Sequence, residues 1–114
     1  MSRQNSVKTL HTPERAVLAA CVEWLTLKRV VFIRIQPIRL MTKDGRTFLG
    51  KMWPSQRGVP DLLILHQGKA ICAEIKSSSG KLSPDQESFK ERARCAGAMY
   101  VTVRSVEDLQ MVLP

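Results

Sequence analysis

A two-residue turn, Gln67-Gly68, is the feature that most constrains the fold of this chain. It separates the short apolar run Leu62–His66 from the strand-like segment Lys69–Lys76. Two-residue loops that contain glycine between such runs are typical of tight β-hairpins. If the loop consists of these two residues, His66 pairs with Lys69 and the register of the whole hairpin is fixed.

This register predicts a polar patch on one face of the hairpin. It places Asp61 directly opposite Glu74, and residues opposite each other on antiparallel strands share a face. Because side chains alternate along a strand, Lys76 lies on the same face as Glu74. The other face is expected to be core and carries Ile71, Ala73 and Ile75.

Two carboxylates held this close repel each other and need a compensating cation. Lys76 supplies part of that compensation, and a bound Mg²⁺ would supply it more completely, since hard cations prefer oxygen ligands. Such an ion can polarise a phosphate oxygen and help to ionise a water molecule. The alternative is a plain cross-strand ion cluster on a solvated face.

The first predicted helix begins with Thr12 as its N-cap and Pro13 as its first residue. Apolar residues follow at helical spacing, with Glu14 at the centre of their stripe and Glu23 on the opposite side. A carboxylate on an inward stripe is costly unless a cation, a donor or a metal lies nearby. Alternatively, Glu14 is an ordinary first-turn acid that complements the helix dipole.

The second predicted helix opens at Ser83-Pro84, and Gly97 stands where its C-terminal cap belongs. Gln86 aligns at helical spacing with Phe89 and is therefore expected to face inward. The alternative is that Gln86 only completes a capping box with Ser83.

The remaining elements complete an α/β architecture whose core has the order α-β-β-β-α-β, with a mixed central sheet flanked by helices. They are a strand over Val30–Leu40 with Pro37 at an edge or bulge, a turn at Lys43–Gly45, a return strand over Arg46–Met52, a final strand over Met99–Arg104 and a last short helix opened by a Ser105 capping box.

The 114 residues, 44% of them hydrophobic, suit one small domain. We expect residues 1–11 to be disordered or frayed and residues 12–114 to form that domain. Lys and Arg number 18 against 10 Asp and Glu, a net charge of +8 that attracts polyanions such as nucleic acid. Aromatic residues make up only 5%, which favours phosphate contacts over base stacking. A basic protein without a polyanionic partner is the alternative.

Several classes of protein are disfavoured by the sequence. No apolar run approaches the ~20 residues of a membrane span, and Met1–Leu10 has no secretory signal, so a cytoplasmic protein without a membrane partner is expected. The three cysteines, with no CxxC spacing, are expected to be buried free thiols rather than a disulfide framework or zinc site. A helical or membrane-surface interaction protein is opposed by the strand-rich pattern.

A known motif family matches these residues. The segment Gly58-Val59-Pro60-Asp61-Leu62 followed by Glu74-Ile75-Lys76 is similar to the PD-x(n)-E-x-K motif of the PD-(D/E)XK nuclease superfamily. Together with Glu14 and the segments 81–86, 97–101 and 103–105, it resembles the VRR-NUC (virus-type replication-repair nuclease) domain in its minimal stand-alone form. The resemblance covers roughly residues 12–110, nearly the whole chain.

The resemblance implies a restriction-endonuclease-like core and a metal-dependent DNA endonuclease, with Mg²⁺ or Mn²⁺ as cofactor and no organic one. It implies selectivity for branched or junction DNA in replication and repair, a homodimer, and a host cytoplasm if the chain is phage-encoded. The loop over 53–58 and the hairpin before it vary in the family, so no substrate role is transferred there.

The resemblance also assigns roles to residues. Asp61, Glu74 and the backbone carbonyl of Ile75 would bind metal, and Glu14 would bind it directly or through water. Lys76 would orient or help deprotonate the attacking water, and Gln86 would lie beside the lysine and the metal. Candidate DNA contacts are Arg57, Ser77 and Lys81.

Other functions remain open from the sequence. The same fold could be a non-catalytic nucleic-acid-binding module, although a decayed site has no need of paired acids. A restriction-type or tRNA-splicing-type nuclease is a further possibility, but sequence-specific enzymes usually add recognition elements for which 114 residues leave little room.

Overall fold

A computed structural model of the chain describes residues 12–36, 39–49 and 54–114. The predictions for residues 1–11 and for Pro37 lie outside these ranges. The elements are α1 (Glu14–Leu27), β1 (Val31–Arg34), β2 (Arg39–Met41), β3 (Thr47–Leu49), a short 3₁₀ helix (Pro54–Gln56), β4 (Leu62–His66), β5 (Lys69–Ile75), α2 (Pro84–Cys95), β6 (Met99–Val103) and α3 (Val106–Val112).

The main sheet has four strands in the order β1-β4-β5-β6. Strand β4 is antiparallel to both of its neighbours, and β6 runs parallel to β5 after the crossover through α2. Strands β2 and β3 form a separate antiparallel pair. The fold is therefore a mixed α/β structure, as predicted, and the main-sheet strands and first two helices follow the order α-β-β-β-α-β.

The hairpin register predicted from the turn is confirmed. Pairing runs from His66↔Lys69 to Leu62↔Ala73. Gln67 and Gly68 have φ angles of 50° and 78°, the positive values that a two-residue turn with a right-handed strand twist requires.

The hydrophobic core lies between one face of the sheet and helices α1 and α3. The predicted core positions on β5 are confirmed, since they are at most 1% exposed. The buried cluster consists of Val17, Cys21, Leu25, Leu62, Ile64, Ile71, Ala73, Ile75, Val103, Leu109 and Leu113. Helix α2 lies over the opposite face, where Lys90 approaches the ring of Tyr100 on β6.

Several element boundaries differ from the predictions. The single strand predicted over Val30–Leu40 is wrong, because β1 ends at Arg34 and β2 belongs to the other sheet. Strand β1 ends where its partner strand does, because Arg34 pairs with Leu62, the first residue of β4. The return strand is shorter than predicted, at Thr47–Leu49, and positions 50–52 lie outside the described residues. Strands β5 and β6 each end one residue earlier than predicted.

The predicted helix caps are confirmed for α2 alone. Ser83 and Gln86 form the predicted capping box, and Gly97 follows the C-cap with a φ of 93°. Pro13, and not Thr12, is the N-cap of α1, because its backbone carbonyl accepts the first helical hydrogen bonds. No side chain caps this end of the helix. Ser105 precedes α3 but its side chain caps nothing.

Two remaining predictions concern the cysteines and membrane spans. Cys21 and Cys72 are buried as predicted, but Cys95 is exposed, because it ends α2 on a helix with no fully buried residue. In the described part of the chain, none of the helices has the length and apolar character to cross a bilayer.

Candidate active site

Asp61 stands at the junction between β1, β4 and β5. Its backbone carbonyl accepts a hydrogen bond of 2.8 Å from the N–H of Ile35, and its Oδ2 accepts one of 2.8 Å from the N–H of Ile75. The strand pairing itself ends at Leu62↔Ala73. The carboxylate of Asp61 therefore replaces the next ladder bond and is fixed at the end of β5, beside Glu74.

Glu74 is the one buried charged side chain among the described residues, at 3% exposure. It alternates with the core residues of β5 and so points to the face that α2 covers. Its Oε2 accepts a hydrogen bond of 3.0 Å from Nε2 of Gln86, whereas its buried Oε1 has no hydrogen-bond partner. The alternative of an ion cluster on a solvated face does not agree with this burial.

The surroundings of Glu74 disfavour its charged form. Burial raises the pKa of Glu74 to about 8, and the negative charge of the neighbouring Asp61 acts in the same direction. The positive charge of Lys76 lowers this pKa and the negative charge of Glu14 raises it. In the absence of a cation, Glu74 therefore holds a proton near neutral pH.

Lys76 directly follows the last residue of β5, whereas the sequence predicts it as the last residue of that strand. Its backbone N–H donates to the carbonyl of Val103 at 2.9 Å, and its side chain is half-buried. Within the described residues, the ammonium group forms no ion pair with Asp61 or Glu74. It is near enough to affect the pKa of Glu74 and remains available to another negative group.

Gln86 combines the two roles that the sequence left as alternatives. Its Oε1 accepts from the N–H of Ser83 at 2.8 Å, and Oγ of Ser83 accepts from the N–H of Gln86 at 3.2 Å, which completes the capping box. Its Nε2 donates to Glu74 at the same time. The capping bond therefore fixes the orientation of the amide that holds the buried carboxylate.

The structure does not bury Glu14. Residues 12–16 are all exposed, and the first buried residue of α1 is Val17. The prediction that Glu14 faces inward is therefore wrong, because the sheet does not cover this end of the helix. The Glu14 carboxylate forms no hydrogen bond or ion pair with another described residue. Its negative charge nevertheless raises the pKa of Glu74. Glu23, also exposed, exerts no such effect on Glu74.

Two residues position the site without having been singled out from the sequence. A Cβ at Gly58, where φ is +77°, would lie 2.1 Å from the backbone oxygen of Asp85, so the loop before Asp61 touches the first turn of α2. Arg104 donates through Nη1 to the carbonyls of Ser77 and Gly80, at 2.7 and 2.6 Å. It thus fixes the loop that follows Lys76. The glycine within the Gly58-Val59-Pro60-Asp61 segment was a detectable signal, whereas the contacts of Arg104 left none.

The candidate DNA contacts lie in the loops around this site. Arg57 and Lys81 are exposed, and Ser77 is half-buried. The backbone carbonyls of Ser55 and Arg57 accept hydrogen bonds from Arg92, at 3.1 and 3.4 Å, so the loop that carries Arg57 is attached to α2.

The described residues include no group of three or more His, Cys, Asp or Glu side chains arranged to hold a metal ion. Two adjacent carboxylates and an oxygen without a partner do suit a hard cation. Mg²⁺ commonly uses one or two protein carboxylates and completes its shell with water and substrate phosphate. The residues present therefore fit a divalent cation bound by Asp61 and Glu74.

Comparisons with protein-family models, with curated proteins and with solved structures find no match for this chain.

Proposed function

We propose that this protein is a Mg²⁺- or Mn²⁺-dependent endonuclease of the VRR-NUC type that hydrolyses DNA phosphodiester bonds. The observation that carries the proposal is the buried Oε1 of Glu74, which lacks a partner beside a second carboxylate. A buried polar atom of this kind is unfavourable in the free protein and is explained by a ligand that it binds. The net charge of +8 suits a DNA substrate.

The metal ion would be held by Asp61 and Glu74, with the backbone carbonyl of Ile75 as the third ligand that the resemblance implies. When bound, it supplies charge stabilisation at the phosphate and lowers the pKa of a water molecule. The N–H of Ile75 orients the carboxylate of Asp61, and the amide of Gln86 orients that of Glu74. Such outer contacts fix ligands in the geometry that a metal requires.

Lys76 would act on the substrate. Its ammonium group follows the two acids and forms no ion pair with them, so it can contact the phosphate oxygens and the attacking water. In the reaction, the water oxygen forms a bond to phosphorus and the bond from phosphorus to one sugar oxygen breaks. One water proton ends on that leaving oxygen. The contribution of Lys76 is to position the water and to stabilise the charge that develops on the phosphate.

The finer features of the proposal come from the resemblance. They are the restriction-endonuclease-like core, a preference for branched or junction DNA, a homodimer and a cytoplasmic location in a host cell. A homodimer would place two sites on a two-fold branched substrate, which accords with the symmetry of most oligomers. Light scattering at micromolar concentration tests this point, and a mass of one chain would contradict it.

The decisive experiment is a cleavage assay on a panel of linear, nicked, flap and four-way-junction DNAs with Mg²⁺ or Mn²⁺. We expect cleavage by the wild-type protein and none by Lys76→Ala, whose fold is checked by circular dichroism. The exposed Lys69→Ala, at the opposite end of β5, serves as a matched control for the loss of one positive charge. Full activity in excess EDTA, or near wild-type activity of Lys76→Ala, would refute the proposed site.

A non-catalytic nucleic-acid-binding module is the second candidate, and the lack of a three-group metal cluster in the described residues favours it. Titration calorimetry with Mn²⁺ separates the two functions. The nuclease requires Mn²⁺ binding that disappears in Glu74→Gln. The binding module predicts DNA binding that is unchanged by Mn²⁺, EDTA or this substitution.

A further inference from the structure

The hydroxyl of Tyr100 is a second polar atom that the fold buries without a partner. In the described part of the chain, two side-chain oxygens have this property, namely Oε1 of Glu74 and the phenol oxygen of Tyr100. Oε1 of Glu74 is an acceptor when the carboxyl is ionised, as it would be beside a bound cation, and the phenol oxygen carries a donor proton. A pair of complementary groups, both buried and both without a partner, is unusual in a protein interior.

The sheet register places these two residues side by side. Strands β5 and β6 are parallel, with Cys72 paired to Tyr100 and Glu74 paired to Thr102. Paired residues share a face, and residues two apart on one strand also do so. Tyr100 and Glu74 are therefore diagonal neighbours on the face that α2 covers.

The surroundings keep the phenol neutral and able to donate. Burial raises the pKa of Tyr100, and the negative charges of Glu74 and Asp61 raise it further. Nζ of Lys90 lies 5.9 Å from the centroid of its ring, so α2 holds the ring against the sheet. The groups whose charges act on the hydroxyl are predominantly carboxylates, which are good hydrogen-bond acceptors for a phenol O–H.

Resting on the proposed function, we propose that Tyr100 is a positioning residue that holds the Glu74 carboxylate, through one buried water molecule, in the orientation required for the divalent cation. Gln86 secures Oε2 of this carboxylate directly. The tyrosine secures the Oε1 side, where the structure shows no direct hydrogen bond. A water molecule with two or more polar partners is a regular component of such buried sites.

Tyr100→Phe tests this inference, because it removes the hydroxyl and keeps the ring and its contact with Lys90. The measurement is Mn²⁺ binding to the full chain by titration calorimetry. We expect the dissociation constant to rise about 10-fold or more, as is typical when an outer contact of a metal ligand is lost. Thr26→Val is the matched control, since its hydroxyl bonds only within α1 to Val22, and it should leave Mn²⁺ binding unchanged.

The outcomes separate this inference from the proposed function. A wild-type protein that binds no Mn²⁺ overturns both. If Tyr100→Phe binds Mn²⁺ as tightly as the wild-type protein, the proposed role of Tyr100 is overturned and the metal site is unaffected.

A high-resolution crystal structure gives a test without a substitution. We expect one ordered water within about 3 Å of both oxygens. A phenol oxygen with no water or polar atom within that distance would overturn the inference, even if the variant failed to fold.

Discussion

The side-chain amide of Gln86 bonds the buried carboxylate of Glu74, with Nε2 donating to Oε2 at 3.0 Å. The other end of the same amide accepts from the N–H of Ser83 at 2.8 Å and so caps α2. One side chain therefore serves both the start of the helix and the candidate site. Because the two bonds use different atoms of the amide, substitutions of Gln86 can separate stability from activity.

Gln86→Glu is predicted to keep the capping box and to lose the donor to Glu74. Glutamate serves as well as glutamine at this capping position, but its carboxylate has no N–H to donate to Glu74 and adds a negative charge beside it. Gln86→Leu loses both bonds. We expect Gln86→Leu to lose about 1–3 kcal/mol of unfolding free energy because it leaves buried polar groups without partners. Both variants should lose DNA cleavage. Urea denaturation and the cleavage assay measure the two effects, and a fully active Gln86→Leu would contradict the orienting role.

The position of Glu74 predicts an unusual pH dependence of stability in the absence of metal. Its pKa rises from 4.5 in the unfolded chain to about 8 in the folded protein. Between these values the folded state holds the proton and the unfolded state does not, so stability decreases as the pH rises. The slope is about 1.4 kcal/mol per pH unit for one proton.

The measurement is urea denaturation in EDTA between pH 5 and pH 9, with Glu74→Gln as the reference. As the pH rises, we expect the free energy of unfolding of the wild-type protein to fall relative to that of Glu74→Gln. The difference should become constant above the folded-state pKa of Glu74. Added Mn²⁺ should reverse the loss by stabilising the ionised carboxylate. Parallel curves for both proteins across this range would show that Glu74 ionises normally.

Asp61→Asn is predicted to preserve the fold and abolish cleavage. An asparagine oxygen can still accept from the N–H of Ile75, so the bond that closes the end of β5 is kept. The negative charge beside Glu74 is lost, which should lower the pKa of Glu74 and weaken Mn²⁺ binding. Cleavage and calorimetry measure these effects. Wild-type Mn²⁺ affinity in this variant would exclude Asp61 as a metal ligand.

Much of this site could be predicted from the sequence because its determinants are local. The Gln67-Gly68 turn fixes the hairpin register, and the register together with strand alternation brings Asp61 and Glu74 together. The burial of Glu74 could not be predicted, because it depends on α2 packing over that face from a distant part of the chain. The exposure of Glu14 was mispredicted for a related reason. Helical periodicity gives the direction of a residue but not the point along the helix at which the sheet begins to cover it.

Glu14 and Glu23 form a matched pair on one helix, both exposed. The charge of Glu14 acts on Glu74, and that of Glu23 does not. We therefore expect Glu14→Gln to reduce cleavage strongly and Glu23→Gln to leave it unchanged, with less than about 0.5 kcal/mol effect of either on stability. Equal and small effects on cleavage would show that Glu14 has no part in the site.

Gly58→Ala is predicted to displace the loop that precedes Asp61. The added Cβ would lie 2.1 Å from the backbone oxygen of Asp85 and 2.8 Å from the backbone N of Gln86, in a conformation with a φ of +77°. Gly45→Ala is the matched control, because Gly45 has a φ of +89° and nothing within 4 Å of such a Cβ.

The control should therefore lose only the roughly 1 kcal/mol that a left-handed backbone costs a residue with a side chain. Gly58→Ala carries this strain and a collision with backbone atoms that cannot rotate away. We expect it to lose clearly more stability in urea denaturation and to lose cleavage as well, since the collision pushes apart the segments that carry Asp61 and Gln86. Equal stability losses in the two variants would show that the loop can move away from α2 at no cost. The contact at Gly58 would then not be what positions Asp61 and Gln86.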